Sequence, residues 1–537
     1  GAQLGFLNEA DVNVYFTATL NEEAKLGAEG NVNEARLHYS NDADSEEDSD
    51  KDEDTTDWDF VIAFTYKVQV NKTYVNNEPV NPPTFMLEKK LSDGTLTEVA
   101  LDEDASDGRK VFAFKGLDDG DYVLTETSPA GYDSIGSVEF TVTADHAIEW
   151  KDEADREKIL ASLNGDVTVG EIELTPSEDL STLATDVVNT YSAEGSYGLA
   201  ARKIMVGGDL PEAGEYQFTA TRTDEDGSGW TDTATNDAEG NVTFELPEAE
   251  FTLTEADFAG AERAEDGSRT ITRHYTIKEV IPDNATPIDG SDYYVVVEHL
   301  ADEGDVIDRI RTTAYDGTTH NITVTAVDDG EGNITCTIAD NDEAVDTEGQ
   351  EVPTANPLFA NDRDDNNGNR RFSPSDEDDS ATPEATKELL GADGSEQALE
   401  EGQFSFELLQ ASDTLALPGM DPMVVSEEVQ PVYGPDGNVV IGSNDAEGNV
   451  AFPTMYYGMG DIYHTYDYVI REVIPEGAEE LEDGTYLLDG VIYDTSEIHF
   501  IVEVSWDAAT RKVVATAHYA DASGNELQGA TFTNKKG

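Results

Sequence analysis

Three short sequence elements recur in the same order along this 537-residue chain, and self-similarity of that kind constrains the folding units more tightly than composition does. The turn Asn-Asp-Ala-Glu-Gly-Asn-Val at Asn236 to Val242 returns unchanged at Asn444 to Val450, each time followed by a short apolar run holding Phe244 or Phe452. The segment Tyr-Thr-Ile-Lys-Glu-Val-Ile-Pro from Tyr275 to Pro282 is matched by Tyr-Val-Ile-Arg-Glu-Val-Ile-Pro from Tyr468 to Pro475. A looser relative, Tyr-Val-Leu-Thr-Glu-Thr-Ser-Pro, runs from Tyr122 to Pro129. Each unit then closes on an apolar residue two positions before an asparagine: Val187 and Asn189, Phe359 and Asn361, Phe532 and Asn534. Three repeated units agree with the three or four domains expected of this length.

Between these landmarks, short runs rich in Val, Ile, Thr, Tyr and Phe alternate with turns such as Asp-Asp-Gly-Asp and Ala-Glu-Gly-Asn. That pattern predicts an all-β chain. One segment departs from it: Asp152 to Leu163 carries acidic residues where the first turn of a helix prefers them, and is expected to be a connection inserted between strands. A charge run at residues 42–58 and a polar stretch at residues 362–383 are expected to be linkers or long exposed loops.

Residues two apart on a strand share a face. Tyr122, Leu124 and Glu126 therefore lie together, as do Tyr275, Ile277 and Glu279, and Tyr468, Ile470 and Glu472. Each glutamate follows two large apolar residues and points toward the core. The same parity places Phe64, Tyr66, Val68, Val70 and Lys72 on one face, with Lys67, Gln69 and Asn71 on the other, so Lys72 is the buried lysine. In the next unit Lys203 shares a face with Leu199, Ala201 and Met205, and in the last Lys387 shares one with Ala385 and Leu389. In these two units the opposite faces are also partly apolar, so parity alone constrains them less.

A core that takes in lysine, glutamate and asparagine together needs a chemical reason, because an unpaired buried charge costs several kcal/mol. Burial lowers the basicity of the amine and raises the pKa of the acid, so the pair can exist as neutral amine and neutral carboxylic acid. A neutral amine is a nucleophile. It attacks the asparagine side-chain carbonyl while the protonated glutamate donates a hydrogen bond to that oxygen and relays protons, and ammonia leaves. The product is an intramolecular amide joining the first strand of a unit to its last, closing a loop of well over a hundred residues.

Composition narrows the remaining functions. With 116 Asp and Glu against 31 Lys and Arg, the formal charge is -85, a field that repels nucleic acid and anionic membranes. No calcium loop of the Asp-x-Asp-x-Asp-Gly type is present, and no metal or cofactor is expected. The single cysteine, Cys336, excludes an intramolecular disulfide and reads as a core thiol. No run of about 18 apolar residues spans a membrane. The stretch from Gly1 to Gly537 shows neither a signal peptide nor a hydrophobic tail, and is expected to be a mature or excised segment of something longer.

These residues are also the marks of a known family. From residue 57 to 192 the chain resembles a collagen-adhesin B-type (CnaB) domain, with FTYKVQVNKTYVNN, YVLTETSPAGY and the closing VVNTY. Residues 193–370 and 371–537 resemble two streptococcal backbone-pilin isopeptide-linker domains. Their marks are ARKIMVGGDLPEAGEYQFTA and ATKELLGADG with EGQFSFELL, then IKEVIP and IREVIP, then LFAND and TFTNKKG. Residues 1–56, with VYFTATLNEEAKLGAEGNVNEARLHYSND, are similar to the closing part of another fimbrial isopeptide-forming domain followed by an acidic linker.

The resemblance implies tandem immunoglobulin-like β-sandwiches in an elongated array, isopeptide bonds Lys72–Asn189, Lys203–Asn361 and Lys387–Asn534, and Glu126, Glu279 and Glu472 as the promoting acids. It makes Asn41 an acceptor whose lysine would precede Gly1. It further implies a Gram-positive, cell-wall-anchored subunit of a pilus or fimbria, joined by sortase to other pilin subunits, that catalyses nothing beyond its own single turnover. The family's Leu-Pro-x-Thr-Gly sorting signal and following membrane segment are not found in this stretch and no clear pilin-motif lysine stands out, so anchoring and polymerisation rest on the resemblance alone.

Two other functions compete. A ligand-binding adhesin would recognise a host or glycan receptor through exposed loops such as Asp133 to Ser181 or Ala301 to Gly317. A carbohydrate hydrolase would use paired carboxylates, but among 116 acids such pairs arise by chance, and no Gly-x-Ser-x-Gly or His-Glu-x-x-His motif occurs.

Overall fold

Strand alternation is realised directly in the first strand of the first sandwich, β1 (Tyr66–Val75): Tyr66, Val68, Val70 and Lys72 are buried, while Lys67, Gln69 and Asn71 between them are partly exposed. A computed structural model describes residues 14–27, 30–40, 53–142, 168–169, 173–178, 181–206, 210–224, 229–245, 247–301, 308–340, 343–344, 353–363, 371–374 and 378–536. Asn41 and the helix expected at Asp152 to Leu163 lie outside the described residues. Within them the regular secondary structure is nearly all strand, with only a one-turn α-helix (Glu248–Phe251) and 3-10 turns such as Glu255–Phe258 and Met459–Asp461. No helix among the described residues is long and apolar enough to cross a membrane.

In the first sandwich β1 runs parallel to the last strand, β3 (Thr182–Thr190), and antiparallel to Val111–Leu117. The facing sheet carries β2 (Gly120–Thr127) between Thr84–Lys90 and Ser137–Val142. Phe64, Val68, Phe85, Leu87, Phe114, Leu124, Phe140 and Val187 fill the space between the sheets.

The second sandwich repeats the plan. Its first strand, β4 (Gly198–Met205), lies parallel to its last, and β5 (Arg269–Glu279) pairs with Gln217–Arg222 in the facing sheet. Strand β6 (Asp308–Asp316) is flanked by Tyr293–Ala301 and by the last strand, β7 (Leu358–Arg363). In the third sandwich β8 (Glu384–Leu390) runs parallel to the last strand, with β9 (His464–Glu472) in the facing sheet. There β10 (Val491–Tyr493) is antiparallel to that last strand, β11 (Ala530–Lys536). Cα packing groups Gly1–Ser196 with Thr252–Ile271 and Ala326–Thr335 as one unit, and Tyr197–Phe251, Thr272–Thr325 and Cys336–Gly537 as another.

Three expectations need correction, the first being the segment read as an exposed loop from Asp133 to Ser181, which holds the strand Ser137–Val142 with Val138, Phe140 and Val142 buried. Part of the segment read as an exposed loop, Ala301 to Gly317, is strand β6, with Thr312 and Ala314 fully buried. Its threonines suit a strand as well as a loop, which hides it from a pattern based on apolar residues. The polar stretch 362–383 is likewise not wholly linker. Asp362 is buried and, with Asp378 and Asp461, surrounds the Arg371 guanidinium at 3.0, 3.6 and 3.7 Å. Cys336 is buried, as a core thiol should be.

Candidate functional site

Nine residues singled out in the sequence meet as three buried clusters, one in each sandwich. The parallel pairing of first and last strands sets up the meeting. Lys72 stands opposite Val187, Lys203 opposite Phe359 and Lys387 opposite Phe532. The asparagine two residues further on therefore lies on the same face as the lysine, one step along the neighbouring strand. That register is the physical content of the apolar residue two positions before each asparagine. The glutamate enters from the facing sheet, at the end of β2, β5 or β9.

In the second sandwich Lys203 Nζ lies 2.7 Å from Glu279 Oε2, and Asn361 Nδ2 donates to Glu279 Oε1 at 2.8 Å. The third repeats this with Lys387 Nζ at 2.7 Å from Glu472 Oε2 and Asn534 Nδ2 donating to Glu472 Oε1 at 2.7 Å. In the first, Asn189 Nδ2 donates to Glu126 Oε1 at 2.8 Å, but Lys72 Nζ is 3.4 Å from that same oxygen. The lysine and glutamate side chains are 0% exposed in all three.

Aromatic rings wall off each amine: Tyr74 at 5.2 Å from Lys72 Nζ, Tyr216 at 4.7 Å from Lys203 and Phe404 at 4.7 Å from Lys387. The electrostatic consequence follows from removing water. Burial pulls the Lys203 ammonium down to about 8 and pushes the Glu279 carboxyl up to about 7, against the opposing pull of each on the other. Burial also lowers Lys72 and Lys387 and raises Glu472. A proton can thus move from amine to carboxylate at modest cost, leaving an uncharged nucleophile beside an uncharged acid.

Two contributions went unread in the sequence. The repeated seven-residue turn holds the lysine strand: the Lys203 amide donates to the Gly240 carbonyl and the Lys387 amide to the Gly448 carbonyl, both at 2.7 Å. Gly240 (φ +83°) and Gly448 (φ +89°) adopt the left-handed conformation, and a Cβ on either would collide with the carbonyl of that lysine. The turn's exact recurrence was the available signal. The second contribution is a donor to the asparagine oxygen: the Asp316 amide meets Asn361 Oδ1 at 2.7 Å, and the Asp494 amide meets Asn534 Oδ1 at 2.7 Å. The recurring dipeptides Tyr315-Asp316 and Tyr493-Asp494 mark it in the sequence.

Comparison with known proteins follows the same division. The model of the Spy0128-like isopeptide containing domain (FctA) matches residues 199–362 and 383–536, and that of the prealbumin-like fold domain (SpaA) matches residues 66–154. No curated protein matches the chain. Among solved structures, the major pilin from Streptococcus pyogenes is similar at 13% identity and a TM-score of 0.22, over 64% of this chain and 98% of that one. BcpA, the major pilin subunit of Bacillus cereus, is similar at 14% identity and a TM-score of 0.17, over 88% of this chain and 100% of its own. A C-terminal fragment of the pilus adhesin SpaC from Lactobacillus rhamnosus GG is similar at 14% identity and a TM-score of 0.19, over 56% of this chain and 97% of the fragment. With more than half of its residues matched by one family model, the chain belongs to the family of Spy0128-like isopeptide-containing domains.

Proposed function

We propose that this chain is a structural subunit of a cell-surface pilus or fimbria, and that each of its three sandwiches seals itself with an amide between lysine and asparagine side chains. The links are Lys72–Asn189, Lys203–Asn361 and Lys387–Asn534. What carries this reading is one observation: the same lysine, glutamate and asparagine meet in three separate cores, each sealed from water. A buried ion pair is a poor stabiliser compared with apolar residues of the same size, so three of them make better sense as reactants.

The reaction needs nothing from outside. The neutral Nζ adds to the asparagine Cγ, the Cγ–Nδ2 bond breaks, and one proton passes from Nζ through the glutamate to Nδ2, which leaves as ammonia. Because the linked strands are the first and last of each sandwich and run parallel, tension entering one and leaving the other is borne by the covalent bond. That is the property a fibre requires. The same reading places the subunit outside a Gram-positive cell, joined covalently to other pilin subunits. Intact mass tests it: each closed link lowers the mass by about 17 Da, so complete closure gives a deficit of about 51 Da. A chain of unmodified mass would overturn the proposal.

A further inference from the structure

Lysine–glutamate chemistry does not account for what surrounds the asparagine oxygen. The transferred acyl group develops negative charge on Oδ1 when the amine adds, and a preorganised donor there is worth more than one that must be recruited. In the second and third sandwiches that donor is a backbone N–H, of Asp316 or of Asp494, each at 2.7 Å. An N–H only donates, so its partner is the carbonyl oxygen, and Nδ2 is left facing the glutamate.

The aspartate side chains hold these amides in place. Asp316 accepts from the Ala360 amide at 3.1 Å through Oδ2 and from the Thr318 amide at 3.0 Å through Oδ1. Asp494 accepts from the Thr533 amide at 2.7 Å through Oδ2 and from the Ser496 amide at 2.9 Å through Oδ1. Ala360 and Thr533 are the residues immediately before the reacting asparagines. One carboxylate therefore ties its own loop to the last strand, next to the atom its amide serves. The preceding tyrosines add a brace: Tyr315 packs on Tyr216, and Tyr493 on Phe404, the rings that wall off the two lysines, at 5.4 and 5.8 Å between centroids.

The first sandwich shows the same device displaced. Its Tyr132-Asp133 pair is present, but Asp133 Oδ1 accepts from the amide of Thr190, the residue after the asparagine, at 2.6 Å. Asn189 Oδ1 is buried there with no hydrogen-bond partner among the described residues.

We infer that the Asp316 and Asp494 backbone amides are oxyanion donors for amide transfer, with their carboxylates as positioning groups, which leaves Glu279 and Glu472 to carry the proton to Nδ2. This rests on the cross-linking reading of the site. It moves the glutamate from the carbonyl oxygen, where the sequence placed it, to the leaving nitrogen.

The test is cell-free synthesis of the whole chain, quenched at intervals, with each link scored by the mass of its joined peptides. Asp494→Pro, which removes the N–H, is expected to slow the Lys387–Asn534 link by about a hundredfold. The Lys203–Asn361 link in the same molecules should close at its normal rate and serves as the internal control. Asp494→Ala keeps the N–H but loses its tether and should slow closure about tenfold, with Asp494→Asn restoring most of the rate. Wild-type closure in Asp494→Pro would overturn the inference. Should the proline variant not fold, Asp494→Ala closing as fast as wild type overturns it equally. Wild-type chains that form no link at all would instead overturn the cross-linking reading beneath it.

Discussion

The first sandwich and the two that follow place the same three residue types at the same topological positions, yet they are not equally prepared. In the later two, lysine and glutamate are 2.7 Å apart and the asparagine oxygen has a donor. In the first, lysine and glutamate are 3.4 Å apart, and Glu126 Oε2 accepts the Ile135 amide at 3.0 Å instead of the lysine. Asn189 Nδ2 is shared between Glu126 and the Ser128 hydroxyl. Strand register sets lysine and asparagine side by side, whereas the loops decide how far the three side chains are aligned. A displacement of two residues, from the one before the asparagine to the one after it, separates the two arrangements.

The largest expected effect comes from removing the acid. Glu279→Gln or Glu472→Gln should leave its own link open and the others closed, seen as a mass deficit reduced by about 17 Da. The opened sandwich loses a cross-link spanning well over a hundred residues, which loop-closure arguments put at about 4–5 kcal/mol, so its melting transition should fall. Glu126→Gln is the sharper case, since among the described residues the first sandwich offers no donor to Asn189 Oδ1 to sustain residual closure. Appreciable closure there alone would reverse the order of preparedness drawn above.

Next in size is the turn behind the lysine. Gly240→Ala and Gly448→Ala drive a Cβ into the lysine carbonyl from a left-handed backbone, and should cost about 3 kcal/mol or more. In the first sandwich the Lys72 amide donates instead to the Lys110 carbonyl, beyond the turn at Gly108, which has open space around it at φ +69°. Gly108→Ala should therefore cost only about 1–2 kcal/mol, the price of the left-handed conformation by itself. Equal losses in denaturant unfolding would show that the repeated turn has no special hold on its lysine.

Much of this was legible in the sequence, for reasons that vary by residue. Glu126, Glu279 and Glu472 announce themselves because each follows two large apolar residues of the same parity. The asparagines are found only through recurrence, since a lone asparagine near a strand end is ordinary turn chemistry. Asp316 and Asp494 were not legible as donors: the recurring Tyr-Asp dipeptide marks the pair, but among 116 acids it does not reveal a role that lies in a backbone N–H. Nor was the Arg371 cluster, because its partner Asp461 lies ninety positions away and pairing at that distance leaves no local pattern.

Acidity offers a smaller, graded effect. Below about 7 both Lys203 and Glu279 hold protons, so no nucleophile is present. Above about 8 the amine is free but the carboxylate has no proton to pass. Closure of the Lys203–Asn361 link should therefore peak between pH 7 and 8 and fall about tenfold per unit on either side, measured by quenched synthesis across pH. A flat profile would remove the proton relay from the mechanism.

The smallest expected effect tests strand parity itself. Lys67 and Lys72 occupy the same strand of the first sandwich, five positions apart, and hence opposite faces. Lys72 is walled in with Glu126, whereas Lys67 is partly exposed on the outer face. Lys67→Met should leave every link closed and change stability by no more than about 0.5 kcal/mol, as for surface positions generally. Lys72→Met should keep the core packed, since methionine fills a lysine-shaped slot, yet leave the first link open. If the Lys67 variant instead lost the ammonia deficit, the register of the first strand would be shifted by one residue. The whole correspondence between the three sandwiches would then fail at its first member.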